Sequence, residues 1–273
     1  MNQTTSQKLD RLIEKLCELD EVSAIGISGK APQTWTPDEG DIDIFIYCDT
    51  IPNAVRRQNV TKELTDTLQN TKIDVFEGGH WGRGDFATLD GIETWMMYFT
   101  IEETLQNIED ILSGEYPDKL DNEYYPIARC AMFRDLRIQY DKNGFLTGLK
   151  NRLATYPDKL ARTMIRYHLK ALEDTEDLMR AVQRKDVLFY HFAMEIALDH
   201  FLQALFAINR VYFPSRKRSI EWIRRFRLKP QDCEMRLLKV IKLGGDPDSI
   251  EESCRIFTEL VVQLQALDNE FGK

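Results

Sequence analysis

Long apolar runs, paired cysteines and an excess of positive charge are all missing from this chain of 273 residues. No stretch approaches the roughly 18 consecutive apolar residues of a membrane span, and no apolar block follows the Met1–Gln7 start. The expectation is a cytoplasmic protein without a membrane partner. The cysteines, Cys17, Cys48, Cys130, Cys233 and Cys254, are odd in number, widely separated and without a CxxC pair. That spacing suggests neither a disulfide framework nor a zinc site, and reads as reduced, buried thiols. With Lys+Arg at 36 against Asp+Glu at 45, the formal net charge of -9 argues against a mainly electrostatic grip on nucleic acid. Small molecules or proteins are the expected partners. Internal repeats and low-complexity segments are also missing.

What remains is a soluble, globular composition, 43% hydrophobic and 30% charged, long enough for two domains of about 100–200 residues. Apolar positions at Leu9, Leu12, Ile13 and Leu16 give a first helix over 6–19, followed by a strand at 22–27. Residues 41–47 alternate with period two, 52–70 return to helical spacing through Val60, Leu64 and Leu68, and 72–76 read as a strand. After the glycine-rich Gly78–Asp85, strands are expected at 86–89 and 92–100, joined by an Asp90-Gly91 hairpin turn. A helix at 102–112 and a strand at 136–140 close a first domain at about residue 145. Beyond it the periodicity is helical throughout: 145–153, 157–183, a largely apolar and therefore buried 186–209, then 219–226, 231–241 and 249–271. The expected fold class is an α/β (α+β) domain with a small mixed sheet, residues 1–145, followed by an all-α helical bundle, residues 146–273.

The informative stretch is Ile27 to Asp49, in which Asp41 and Asp43 alternate with Ile42, Ile44 and Ile46. Acids two apart on a strand share a face. Like charges so placed are costly unless a cation sits against them. Upstream, Ser28-Gly29 is small enough to bring backbone amides and a hydroxyl close to an anion. Two carboxylates beside such a cradle suit Mg²⁺, a hard ion held by one or two carboxylates plus substrate phosphates.

Ser28-Gly29 with Asp41-Ile42-Asp43 resembles the signature of the polymerase-β-like nucleotidyltransferase superfamily, including the two-domain build of its antibiotic-modifying members. The order Ser-Gly departs from the usual Gly-Ser or Gly-Gly, and Gly26-Ile27-Ser28 is an alternative alignment. The resemblance implies that Ser28, Gly29 and the adjoining Lys30 bind a nucleoside triphosphate. It implies two Mg²⁺ ions held by Asp41, Asp43 and a third carboxylate on a later strand. Asp74, in Lys-Ile-Asp-Val-Phe, stands where compact members place that acid, and is the expected third metal ligand. Glu93 is the alternative, in a segment where Trp95 replaces the acid of larger members. A third reading is that the ligand is lost.

In the second half, His191, Glu195 and Asp199 recur every four residues on one helix face. By resemblance to antibiotic nucleotidyltransferases Glu195 is a candidate general base, its pKa raised by burial; a core network satisfied by Arg or Tyr neighbours is the plainer reading. The segment Asn209-Arg210-Val211-Tyr212-Phe213-Pro214 followed by Arg216, Lys217 and Arg218 resembles the C-terminal module of uncharacterised bacterial nucleotidyltransferases. Lys217 is the candidate for the triphosphate tail, against a role for the three cations at a helix carbonyl end. Stacking by Trp81, beside His80, is weighed against loop packing.

The expected activity is Mg²⁺-dependent transfer of a nucleoside monophosphate, AMP from ATP, to a hydroxyl of a small-molecule acceptor, aminoglycoside- or lincosamide-like. The alternatives are a protein- or RNA-directed transferase of toxin–antitoxin type, hinted at by Arg224, Arg225 and Arg227, and a non-catalytic nucleotide-binding regulator. A monomer or homodimer is expected.

Overall fold

The first helix, α1 (Thr5–Cys17), starts where Thr4 and Gln7 cap each other: the Gln7 N–H donates to Thr4 Oγ1 at 3.3 Å and the Thr4 N–H to Gln7 Oε1 at 2.9 Å. Its apolar stripe, Leu9, Leu12, Ile13 and Leu16, is buried against one face of a sheet. The computed structural model describes residues 4–28, 40–121 and 124–271, and divides into two units, Met1–Glu109 with Met132–Thr155, and Asp110–Ala131 with Tyr156–Lys273.

The first unit holds β1 (Val22–Ser28), β2 (Ile42–Cys48), α2 (Ala54–Lys62), β3 (Leu68–Glu77), β4 (Arg83–Leu89), β5 (Ile92–Thr100), the start of α3 (Ile101–Ser113), the end of α4 (Pro126–Asp135), β6 (Arg137–Asp141) and α5 (Phe145–Leu153). The six strands form one mixed sheet in the order β3-β4-β5-β2-β1-β6, with β2 and β5 parallel and the other neighbours antiparallel. The β4–β5 turn is the expected one: Asp90 and Gly91 both have positive φ, 53° and 81°, as a tight hairpin turn requires. Thr5 Oγ1 donates to the Asp90 carboxylate at 2.8 Å, so the start of α1 is tied to that turn. Ile25, Ile27, Ile42, Ile44, Ile46, Ile92 and Met96 form the core face with α1 and with Val60 and Leu64. Arg57 of α2 is also buried there, ion-paired to the fully buried Asp85 of β4, with its guanidinium 5.1 Å above the Tyr98 ring centre.

The second unit is helical: α6 (Asp158–Ala171), α7 (Glu176–Arg184), α8 (Val187–Ile208), α9 (Ser219–Arg225), α10 (Cys233–Leu243) and α11 (Ile250–Phe271). The helices α6, α7 and α11 pack on α8, and α10 packs on α11. A buried relay joins three of them: Tyr190 Oη of α8 donates to Ser253 Oγ of α11 at 2.8 Å, which donates to the Val240 carbonyl of α10 at 2.7 Å. Among the described residues no helix is long and apolar enough to cross a membrane.

Four expectations need correction. The helix expected over 52–70 ends at Lys62, because Leu68 already pairs with Leu89 in the sheet. The single helix expected over 157–183 breaks between α6 and α7, where Asp174 accepts a hydrogen bond from the Glu176 N–H at 3.2 Å. Burial around α8 holds for Phe201 to Ile208, whereas Leu188, Phe192 and Ile196 are exposed. The boundary expected at 145 falls elsewhere: α5 stays with the sheet, its Phe145 ring 5.4 Å from that of Tyr47, and 110–131 join the helical unit.

Removing Arg57 leaves Asp85 as an uncompensated buried charge, a loss of about 3–5 kcal/mol. Urea unfolding of Arg57→Ala is expected to show it; a loss below about 1 kcal/mol would contradict a buried pair.

Candidate functional site

Strand β2 lies between β1 and β5, so the neighbours of Asp43 are read directly from the ladder. Asp43 is opposite Ser28 on β1 and in register with Trp95 on β5. Ser28, Asp43 and Trp95 therefore stand in one row on the face away from α1, on strands about 4.8 Å apart. Asp41, exposed, precedes β2 by one residue, while Ile42, Ile44 and Ile46 are buried on the side opposite Asp43. Gly29 and Lys30, the other expected phosphate-binding residues, lie outside the described residues.

The expected third carboxylate is not brought to this row. Asp74 adopts a left-handed backbone (φ 54°) where the β3–β4 register breaks between Lys72 and Phe76. There its N–H donates to Asp85 Oδ1 at 2.9 Å, and its carboxylate pairs with Arg57. Asp85 is paired in the ladder with Met96, on the core face, so Asp74 is bound on the side of the sheet opposite to Asp43. Trp95 fills the position beside Asp43, its ring 4.8 Å from Phe86 and 6.0 Å from Phe76. Glu93, exposed, lies two residues earlier on the same face as Trp95. Among the described residues, the acids near this row are Asp43, the exposed Asp41 just before β2, and Glu93. His80 and Trp81 lie in a single 3-10 turn, Gly79–Trp81, with the Trp81 ring half exposed.

In the second unit the polar residues of α8 part company. Asp199 is buried and receives Lys119 Nζ at 2.8 Å, Tyr125 Oη at 2.8 Å and Arg216 Nη2 at 2.7 Å. Burial opposes its charge, but hydrogen bonds from Arg216, Lys119 and Tyr125 outweigh it and hold the carboxyl below its ordinary range. Glu195 is exposed and meets Arg216 Nη2 at 2.9 Å, so the burial expected to make it a base is found at Asp199 instead. His191 is exposed as well. Of the three cations after Pro214 it is Arg216 that enters the network; Lys217 is exposed, with its N–H on Ser215 Oγ at 3.1 Å. The segment before them serves as a clamp: Asn209 Nδ2 donates to the Leu228 carbonyl at 2.8 Å, and Phe213 packs edge-on against Phe206 and Tyr125.

A second polar group lies in the same unit. Asp118, His168 and His200 place one ligand atom each within 4.8 Å of the others. Neither this group nor the roles of Lys119 and Tyr125 followed from the sequence, since each assembles from separate segments.

A sequence family described as a domain of unknown function (DUF4037) matches residues 123–219. The chain is similar, at 12% identity and a TM-score of 0.48, to a solved nucleotidyltransferase-like protein from Exiguobacterium sibiricum 255-15, over 97% of this chain and 74% of that one. No curated protein matches.

Because the folded-state pKa of Asp199 is depressed, its stabilisation is complete above the unfolded value of about 3.9 and is lost as pH falls toward the folded one. Asp199→Asn is expected to cost about 1–3 kcal/mol at neutral pH, moderated by the part exposure of Arg216. That deficit should shrink below about pH 3.9; a deficit independent of pH would contradict the ionised network.

Proposed function

We propose that the protein is a nucleotidyltransferase that passes a nucleoside monophosphate, AMP from ATP, to a hydroxyl of a small-molecule acceptor. The observation that carries this reading is the row formed by Ser28 and Asp43, with the exposed Asp41 two residues before Asp43. A hydroxyl and two carboxylates on a rigid strand pair form a hard oxygen donor set, which fits Mg²⁺ better than a softer ion. When bound, Mg²⁺ would offset charge on the phosphoryl oxygens and on the attacking and leaving oxygens.

The chain's own residues have separable parts in this scheme. Asp41 and Asp43 hold the metal, and Ser28, with Gly29 and Lys30, holds the phosphates. Glu93 takes the place of third carboxylate, which Asp74 leaves vacant by pairing with Arg57. The isoleucines beneath β2 fix the backbone from which the two aspartates project, so little reorganisation is needed when the nucleotide arrives. The net charge of -9 favours a cationic acceptor, such as an aminoglycoside.

Trp95 beside Asp43 supports a second reading, a nucleotide-binding regulator without transfer chemistry. Pyrophosphate release from ATP and Mg²⁺ across a panel of hydroxylated cationic acceptors separates the two. Release that falls about 10²–10³-fold in Glu93→Gln but changes little in Asp74→Asn is the expected outcome. The converse pattern would return the role to Asp74, and binding without release from any acceptor would favour the regulator.

A further inference from the structure

His168 sits near the end of α6, fully buried, and its two ring nitrogens meet different partners. Nε2 is 2.7 Å from the Pro117 carbonyl oxygen, which can only accept, so Nε2 carries the proton. Burial, with His200 adding to it, lowers the His168 pKa and so favours the neutral ring. Its Nδ1 lone pair is therefore aimed at His200 Nδ1, 2.8 Å away on α8. In the metal-free protein His200 satisfies that lone pair with an Nδ1–H.

Asp118 completes the group from the segment between α3 and α4. Its Oδ1 accepts the Lys119 N–H at 2.7 Å and its Oδ2 accepts the Tyr167 hydroxyl at 3.1 Å, so the carboxylate is oriented with lone pairs to spare. Two imidazoles and one carboxylate within 4.8 Å match the ligand set of zinc sites that keep a fourth position for water. The Pro117 carbonyl on His168 and the Tyr167 hydroxyl on Asp118 are the outer contacts that fix tautomer and direction in such sites. Asp118 and His200 are only part-buried, which leaves a side open for entry and for the fourth ligand.

We propose that Asp118, His168 and His200 bind a zinc ion within the helical unit. His168 and His200 ligate through Nδ1 and Asp118 through a carboxylate oxygen. On entry of the ion, the His200 proton moves from Nδ1 to Nε2, so both rings stay neutral and no net proton is released. Zn–N bonds of about 2.0–2.1 Å place two nitrogens roughly 3.3 Å apart in a tetrahedral site, so the nitrogens must separate by about half an ångström and each ring must turn by about 35° so that its lone pair leaves the present Nδ1–Nδ1 axis. Magnesium and calcium, which prefer all-oxygen ligands, are excluded by the imidazoles. The site would staple the Pro117–Lys119 segment to α6 and α8. It is independent of the proposed transfer reaction, for which the acids on β2 and β5 are used.

The test is calorimetric titration of the chelator-treated full chain with zinc, and with magnesium as control. It is paired with the visible spectrum of the cobalt(II) form, whose intensity and thiolate bands report geometry and ligand type. Expected are one zinc per chain, no magnesium heat, a tetrahedral cobalt spectrum without thiolate bands, and a rise in unfolding temperature with zinc. Because His168 is wholly buried, the deciding variants are Asp118→Asn and His200→Ala, checked for wild-type circular dichroism. Each should bind zinc at least about tenfold more weakly and lose the thermal shift. Absence of stoichiometric zinc in the wild type, binding unchanged in both folded variants, or a cobalt–thiolate spectrum would overturn the proposal.

Discussion

Everything in the first unit depends on the two-sidedness of β2. Ile42, Ile44 and Ile46 are sealed beneath α1 and the residues around α2, and each is worth about 1.5–3 kcal/mol in burial. A one-residue slip would take those side chains out of this core and drive Asp43 into it, and would also displace Phe45 and Tyr47, which are buried on the other face, so the register is strongly fixed. That register is what places Ser28 and Trp95 on either side of Asp43. The same constraint separates the remaining acids. Glu93 falls on the Asp43 side, and Asp85 falls on the core side, where its charge is tolerable only because Arg57 is buried against it. Asp74 is then drawn to Arg57 as well, through a left-handed kink in β3.

The helical unit solves a comparable problem with the opposite sign of outcome. Asp199 lies on a mostly apolar helix and is kept ionised by Lys119, Tyr125 and Arg216. Two of those donors come from 110–131, which accounts for the packing of that segment with the helices despite its place in the chain between strands. His168 adds another tie through the Pro117 carbonyl. Polar contacts here do two jobs: they satisfy buried groups and they choose which unit an irregular segment joins.

The sequence made the local features plain and hid those that depend on partners far along the chain. The Asp90-Gly91 turn and the 3.6-residue stripe of α1 each lie within one short window, and both are present; the strand read over 41–47 is present too, but its alternation stops at Ile44, since Phe45 and Tyr47 are also buried. The helical spacing that ran on to 70 was misleading, because Leu68 serves a strand once β4 is available to pair with it. Helix α4 went unread: its segment, Pro-Ile-Ala-Arg-Cys-Ala-Met-Phe-Arg-Asp, is apolar without a one-sided stripe. Of the site, the Ser28 and Asp43 row follows from spacing, but the face taken by Asp74 depends on Arg57 seventeen residues earlier in the chain. Cysteine spacing was silent about Asp118, His168 and His200, which come from three segments.

The claim on which the functional account turns is that the Asp43 end of β2, beside Ser28, binds a nucleotide through a metal. Calorimetric titration of ATP into the full chain, with and without Mg²⁺, tests it most directly when repeated on Asp41→Asn/Asp43→Asn. The account predicts binding that requires Mg²⁺ and falls at least about a hundredfold with both carboxylates neutralised, about 2.7 kcal/mol at 25 °C. Binding of equal strength in the doubly substituted protein, or binding indifferent to Mg²⁺, would contradict it.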